Sequence, residues 1–366
     1  MFLFIFILFI YVACITQLAF GIVKANKKIT REIVTPKTTF SIIVPFRNEA
    51  NNLSSLLESI SKLDYPTDLF EVILIDDESN DGWKVEVDNY KFAVSIFPNK
   101  RKSNSPKKDA IETAIPLAKF DWIAATDADC IVPVNWLAVF DEEIQNSSVN
   151  MLVGSVLYHD QNSFLHHFQN NDMLSLQGVT AGSFGIGKGF MCNGANLAYK
   201  KEIFTILNGY EGNTKLASGD DVFLLQKIVK ENTSWARYLG NQSVVYTNSC
   251  FTWKELVHQR VRWASKTSAY VTWYPKILGL VVFLTNIGMI ATLLYTFFYQ
   301  SFMYQFLYFS LVKMGIDFMF LRFASAYFQV KFKKFIPSFL IYPYFTIVVV
   351  SLAFSGNYQW KNRKLN

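Results

Sequence analysis

Asp76-Asp77-Glu78-Ser79-Asn80-Asp81-Gly82 follows an apolar, β-branched run and closes it with four carboxylates. At a strand-to-helix turn such groups can accept hydrogen bonds from ribose hydroxyls or from the N–H groups of a nucleobase, as an acidic residue does in other doubly wound nucleotide sites. The plainer reading is an Asx-rich turn that caps the next helix. A second motif weighs against leaving it there. Trp122-Ile123-Ala124-Ala125-Thr126 runs straight into Asp127-Ala128-Asp129, and two carboxylates one residue apart after a strand can hold a hard divalent cation that a diphosphate also binds. A third acidic pair, Gly219-Asp220-Asp221, precedes the helical run Val222-Phe223-Leu224-Leu225, and Gln259-Arg260-Val261-Arg262-Trp263 forms a fourth element.

These residues need a scaffold that presents strand ends side by side. Ser41-Ile42-Ile43-Val44-Pro45 and Glu71-Val72-Ile73-Leu74-Ile75-Asp76 read as strands, with Leu53, Leu56, Leu57 and Ile60 at helical spacing between them. The same rhythm continues through 92–97, a helical stretch near 110–118 and the strand 122–126. Alternation of this kind predicts an α/β fold with a mostly parallel, doubly wound sheet, which binds ligands at the carboxyl ends of its strands.

Composition adds a membrane to this picture. Of 366 residues 51% are hydrophobic and only 17% charged, Phe alone contributes 34, and the net charge is +6. Ordinary soluble domains carry roughly 25% charged residues. A purely cytosolic globule, a disordered chain and a secreted disulfide scaffold all fit poorly, the last because Cys14, Cys130, Cys192 and Cys250 form no dense or C-x-x-C pattern. Residues 1–23 are uncharged and are followed by Lys24, Lys27, Lys28 and Arg31, which marks an anchor, not a cleaved signal, and keeps the following domain in the cytoplasm. The expected division is a transmembrane anchor at 1–23, a basic linker at 24–38, a cytoplasmic catalytic domain at 39–250, an interfacial amphipathic segment at 251–276 and a membrane region of two to three spans at 277–366. The interfacial assignment rests on Phe251, Trp253, Trp263, Tyr270 and Trp273 interleaved with Lys254, Arg260, Arg262 and Lys266. Spans are expected at 277–298 and 302–323, with Lys313, Asp317 and Arg322 facing protein or the interface. The last apolar stretch, interrupted by Pro337 and Pro343, either crosses or re-enters.

Over about residues 40–266, with all four motifs in order, the chain resembles the family 2 glycosyltransferases of the GT-A fold, membrane-attached members included. The resemblance implies a nucleotide-sugar donor, with Asp77 and neighbouring Asp76 on the nucleoside and Pro45 to Glu49 matching the family's P-x-x-N-E segment beside the nucleobase. It also implies Lys107 or Lys108 on the phosphate side, and Asp127 and Asp129 on a divalent cation, Mg²⁺ or Mn²⁺, and the diphosphate. Asp221, with Asp220, is the implied base, and Gln259, Arg262 and Trp263 the motif that closes the donor and acceptor site. Two positions depart from the family pattern: Asp220 stands where Glu is commoner, and Glu78 where Gly is frequent, which bears on the conformation of that turn.

The resulting expectation is an inverting hexosyl- or N-acetylhexosaminyltransferase in the cell (inner) membrane. Its acceptor would be lipid-linked or a saccharide, and nucleic acid is not an expected partner. A processive polysaccharide synthase is the main rival: Q-x-x-R-W favours it, but three or so weak spans are few for a polymer channel. A non-catalytic assembly partner would have lost carboxylates, and none is missing. Gly182-Ser183-Phe184-Gly185-Ile186-Gly187-Lys188 spells G-x-x-x-x-G-K, but lacks the following Ser or Thr and helix of a P-loop. It reads as a flexible acceptor-side loop, with Asn193 and Asn196 as hydroxyl contacts. His159, His166 and His167 read as helix-surface residues, and the Asn-x-Ser/Thr sites at Asn52, Asn146, Asn232 and Asn241 as chance.

Overall fold

The computed structural model describes residues 2–25, 34–214, 216 and 218–354, with only the backbone of 358–360 and 363–365 beyond them. Two compact units result: Met1–Asn26, Asp160–Gly187 and Ser249–Asn366 form a helical unit, and Lys27–His159 with Lys188–Asn248 form an α/β unit. The division expected at 39–250 therefore differs, because 160–187 groups with the apolar helices. Lys27, Lys28, Arg31 and Lys361 lie outside the described residues.

Helix α1 (Phe2–Ala25) opens the helical unit. The α/β unit begins with β1 (Phe40–Phe46), α2 (Leu53–Ser61), β2 (Phe70–Asp76) and β3 (Ala93–Pro98). It continues through α3 (Pro106–Ala114), β4 (Trp122–Ala125), β5 (Cys130–Ile131), α4 (Trp136–Asn146), β6 (Met151–Val153) and β7 (Ser155–Tyr158). After α5 (Phe164–Gly185) come β8 (Leu197–Lys200), α6 (Lys201–Ile206), α7 (Asp220–Glu231), β9 (Ala236–Tyr238) and β10 (Val244–Thr247). Helices α8 (Trp253–Ser265), α9 (Trp273–Phe298), α10 (Phe302–Phe328) and α11 (Phe335–Phe354) complete the helical unit.

The main sheet runs β3-β2-β1-β4-β8-β6-β9. Strands β3, β2, β1 and β4 are parallel neighbours, whereas β8 lies antiparallel between β4 and β6, so the mostly parallel sheet is mixed. A strand covered on both faces reads as a continuous apolar run. Accordingly Ile42, Ile43 and Val44 of β1 are all fully buried. One face packs on Leu53, Leu56, Leu57 and Ile60 of α2 and on Trp136 and Phe140 of α4, forming the main core. A smaller sheet, β5-β10-β7, stands beside it.

In the helical unit, three helices among the described residues are long and apolar enough to cross a bilayer: Leu3–Ala25, Trp273–Phe298 and Phe335–Phe354. Helix α10 is of similar length and turns two of its charges inward: Lys313 Nζ lies 2.6 Å from Asp317, which accepts from Tyr11 Oη. Arg322, by contrast, is exposed. Helix α11 is continuous through Pro343, and Pro337 falls in its first turn, where a missing N–H breaks no helical bond. The stretch is thus one helix of 20 residues, about 30 Å long, and not a broken segment.

Helix α5 has no counterpart in the sequence reading, and it corrects two expectations. Gly182 and Gly185 sit in its last turns, where a Cβ on either would run into the backbone of Leu18 and Gly21 of α1. The first four residues of the G-x-x-x-x-G-K string therefore serve close helix packing, and only 186–188 lie beyond the end of the helix. His166 and His167 are buried on α5, and His159 follows β7 and stacks on Tyr246, so none is a helix-surface residue.

Candidate active site

The site grows from the carboxyl ends of β2, β1 and β4. Their parallel register sets Phe46 beside Asp76 and Ile43 beside Ala125, so the turns after all three strands emerge at one edge. The order β3-β2-β1-β4 reverses direction at β1, and open α/β sheets bind ligands at such a switch point.

The acidic turn after β2 is laced to the turn after β1. Arg47 donates to the carbonyls of Asp77 and Glu78, the Asn48 amide N–H donates to Ser79 Oγ, and Ala50 N–H donates to Asp81. Asp76 Oδ1 accepts from Ser79 N–H at 3.0 Å, so the Asx-turn reading holds for that carboxylate. Asp77 is 3% exposed and its Oδ1 accepts from Asn99 Nδ2 at 2.7 Å and from Arg101 at 3.4 Å. Glu78 takes a positive φ of 57°, the left-handed conformation that glycine adopts without a steric cost. Glu78 thus holds the backbone conformation that a glycine would adopt there without strain. Pro45 lies within β1, and Glu49, beyond its end, accepts from Asn52 Nδ2 at 2.6 Å and offers its carbonyl to the first turn of α2.

Helix α3 begins at Pro106, four residues before the helical pattern becomes legible, and this brings both lysines into its first turn. Lys107 Nζ lies 2.5 Å from Asp127 Oδ1 and 3.3 Å from Asp220 Oδ2. Burial would lower the pKa of this ammonium, but Asp127, Asp220 and Asp221 outweigh it and raise the value. Lys108 turns the other way: it is 1% exposed and donates to the carbonyls of Asn213 and Leu216 at 2.8 Å each. Of the two lysines only Lys107 faces the acidic cluster.

Asp220 and Asp221 occupy the first turn of α7 itself, after Gly219 at φ 89°. Asp221 accepts from Gly194 N–H at 3.0 Å and from its neighbour Val222 N–H at 2.7 Å. Asn196 is fully buried, accepts from Trp136 Nε1 and donates to the carbonyls of Ser155 and Ser243. It braces the core and is not a hydroxyl contact; Asn193 Oδ1 accepts from Ala195 N–H. Arg47, Asn99, Arg101 and Asp109 were not singled out by sequence. Asp109 accepts from the Lys102 and Ser103 amides and lies 3.5 Å from Arg101, which joins it to Asp77. Isolated polar residues, three in loops and Asp109 in the first turn of α3, carry no periodic signal by which to find them.

The Q-x-x-R-W residues belong to the helical unit, on α8, which opens with a Thr252/Glu255 capping box. Arg260 lies between the motif's named residues: its guanidinium sits 4.2 Å from the Trp263 ring centroid, donates to Gln259 Oε1 and binds Asp172 of α5 at 2.6 Å.

A mixed sheet of this order, with acidic turns at one edge, has the GT-A architecture. Residues 41–207 match Glycosyl transferase family 2. The glycosyltransferase AglE of Haloferax volcanii is 26% identical over 121 residues, covering 32% of this chain and 38% of AglE. The probable glycosyltransferase YdaM of Bacillus subtilis is 23% identical over 245 residues, 64% of this chain and 56% of YdaM. The chain thus spans less than two thirds of either relative. Among solved structures, the mannosyltransferase PcManGT from Pyrobaculum calidifontis, in complex with GDP-Man and Mn²⁺, superposes with a TM-score of 0.54 at 18% identity. That match covers 88% of this chain and 99% of PcManGT, and shows the shared fold.

Proposed function

We propose that this protein is a membrane-attached glycosyltransferase that moves a sugar from a nucleoside diphosphate to an acceptor hydroxyl with inversion. The observation that carries the reading is the convergence of Lys107, Asp127, Asp220 and Asp221 at the β1/β4 edge. In the reaction the acceptor oxygen attacks the anomeric carbon, the bond to the diphosphate oxygen breaks, and a carboxylate takes the acceptor's proton. One displacement inverts that carbon. Lys107 offers positive charge where the leaving diphosphate gains negative charge. Asp221 is the assigned base, with Asp220 beside it.

Among the described residues no cluster of three or more His, Cys, Asp or Glu side chains is arranged to hold a metal ion. Asp127 and Asp129 fit the other common arrangement, in which one or two carboxylates share Mg²⁺ with substrate phosphates. They would hold a divalent cation, Mg²⁺ or Mn²⁺, whose charge stabilises the departing diphosphate. The complex of PcManGT with GDP-Man and Mn²⁺ supports that pairing of donor and cation. Asp77 and Asp76, with Pro45 to Glu49, are assigned to the nucleoside end, and Gln259, Arg262 and Trp263 to the acceptor.

The acceptor class is a lipid-linked or saccharide hydroxyl, reached at the cytoplasmic face of the cell membrane. If α9 and α10 both cross, Lys24 at the end of α1 and the exposed Lys331, Lys333 and Lys334 between α10 and α11 fall on one side, as the positive-inside rule favours for a cytoplasmic face. Single-sugar transfer is favoured over polymerisation by the small number of spans. The test is a screen of nucleotide sugars on the purified full chain, measuring nucleotide release and product length. Divalent-dependent release that rises with acceptor supports the reading. A chain that neither binds nor turns over any nucleotide sugar overturns it.

A further inference from the structure

Lysine is almost never fully buried unless its charge is compensated. Lys108 is 1% exposed, although its neighbour Lys107 opens into the acidic cluster. The segment that receives its ammonium joins α6 to α7, and Lys108 Nζ donates to that segment's Asn213 and Leu216 carbonyls at 2.8 Å each. The same ammonium lies 5.0 Å from the ring centroid of Phe223 and 6.0 Å from that of Tyr210, within cation–π range. Phe223 in turn covers Gly219, where an added Cβ would strike its ring, and Phe223 N–H donates to the Gly219 carbonyl at 3.1 Å. One buried charge therefore grips both the approach to the acid pair and the ring over the turn that begins α7.

We propose that Lys108 is a positioning residue for Asp220 and Asp221. The inference deepens the glycosyltransferase reading and rests on it for the consequence in catalysis. Two adjacent lysines at the start of α3 divide the work: Lys107 meets the carboxylates, and Lys108 fixes the backbone that delivers them. The Asn213 carbonyl also accepts from Leu216 N–H at 3.3 Å, so the ammonium joins the two ends of one backbone turn, and a hydrogen bond from a charged donor is costly to lose. General base catalysis requires its carboxylate within hydrogen-bond reach of the acceptor proton, so a segment that drifts loses transfer without losing the nucleotide.

The experiment is Lys108→Met in the detergent-purified full chain, with hydrogen exchange read by mass spectrometry and kinetics read beside it. The amides of Glu211, Asn213 and Leu216, all bonded within this segment, should exchange faster by about tenfold, the scale of one lost charged hydrogen bond. Those of β1 and β2 should not change. Transfer kcat should fall by about tenfold or more, while affinity for nucleoside diphosphate stays within about twofold. Lys108→Arg, which keeps the charge and donors, should recover part of the loss. Unchanged exchange in the segment, or nucleotide affinity falling in step with kcat, overturns the proposal. Should Lys108→Met fail to fold, Phe223→Leu removes the ring beneath the ammonium and is judged by the same readouts. Localised loosening in a chain whose wild type turns over no nucleotide sugar would reject the enzymatic reading while retaining Lys108 as the anchor of the segment.

Discussion

Lys107 Nζ and Asp127 Oδ1 stand 2.5 Å apart, and the same ammonium reaches Asp220 at 3.3 Å, so one cation joins the D-x-D turn to the acid pair. Its pKa is raised, because the three surrounding aspartates outweigh burial. A lysine already cationic at neutral pH is thereby kept so throughout the working range, and its charge adds no titration to the pH–rate profile there. Lys107→Met should weaken nucleoside diphosphate binding by roughly 10- to 100-fold, the worth of one hydrogen bond to a charged group. Calorimetry with nucleoside diphosphate and Mg²⁺ measures it, and unchanged affinity would remove Lys107 from the phosphate side.

Asp129 tests the cation. Asp129→Asn takes away one of the two anionic oxygen ligands proposed for it, so binding of the diphosphate in the presence of Mn²⁺ or Mg²⁺ should weaken. EDTA should abolish transfer and either ion restore it. Full turnover after exhaustive chelation would sink the role of Asp127 and Asp129 as ligands.

Asp221→Asn keeps the shape of the side chain but loses its basicity. Transfer should drop by about 10² to 10⁴, the usual contribution of a general base. Because Asp221 accepts from Gly194 N–H, the amide must still supply an oxygen to that bond, and donor affinity reports whether it does. Affinity that collapses together with transfer would place Asp221 in the donor site.

The sheet and its acidic edge were legible because strands buried on both faces and the helix carrying Leu53, Leu56, Leu57 and Ile60 leave strong periodic signals. Helix α5 was not legible: His166, His167, Gln169, Asn170, Asn171 and Asp172 are polar yet buried, so its pattern matches no amphipathic template. Antiparallel β8 was equally hidden, since four residues, Leu197–Lys200, carry no sign of strand direction. Within the site, residue type identified the carboxylates. It could not separate Lys107 from Lys108, because adjacent residues on a helix differ only in which neighbour they meet, and that neighbour lies about a hundred residues away, at Asn213 and Leu216.

Glu78 offers a test of strain. A non-glycine residue at φ 57° costs roughly 1–2 kcal/mol relative to the right-handed region. The greater freedom of glycine in the unfolded chain offsets part of any relief. Glu78→Gly should therefore stabilise the protein by up to about 1 kcal/mol, read as a higher Tm, and leave nucleotide affinity unchanged. Lower stability would mean that the Glu78 carboxylate, 3.9 Å from Arg47, contributes more than the backbone loses.

Asp172 and Arg260 form an ion pair of which each side chain is only 6% exposed, and it ties α5 to the helix that carries Q-x-x-R-W. Removing one partner of a buried pair leaves an uncompensated charge and costs about 3–5 kcal/mol, whereas removing both can be close to neutral. Asp172→Asn should accordingly lower the Tm of the detergent-purified chain, and Asp172→Asn combined with Arg260→Gln should recover much of the loss. The single substitution should also loosen Gln259 and Trp263, because the guanidinium that Asp172 orients is the group that bonds the one and stacks on the other. Faster hydrogen exchange along α8 in Asp172→Asn, with β1 and β2 unaffected, is the expected signature. Equal stability of the single and double variants would show that the pair is not coupled and that α8 is held by its apolar contacts alone.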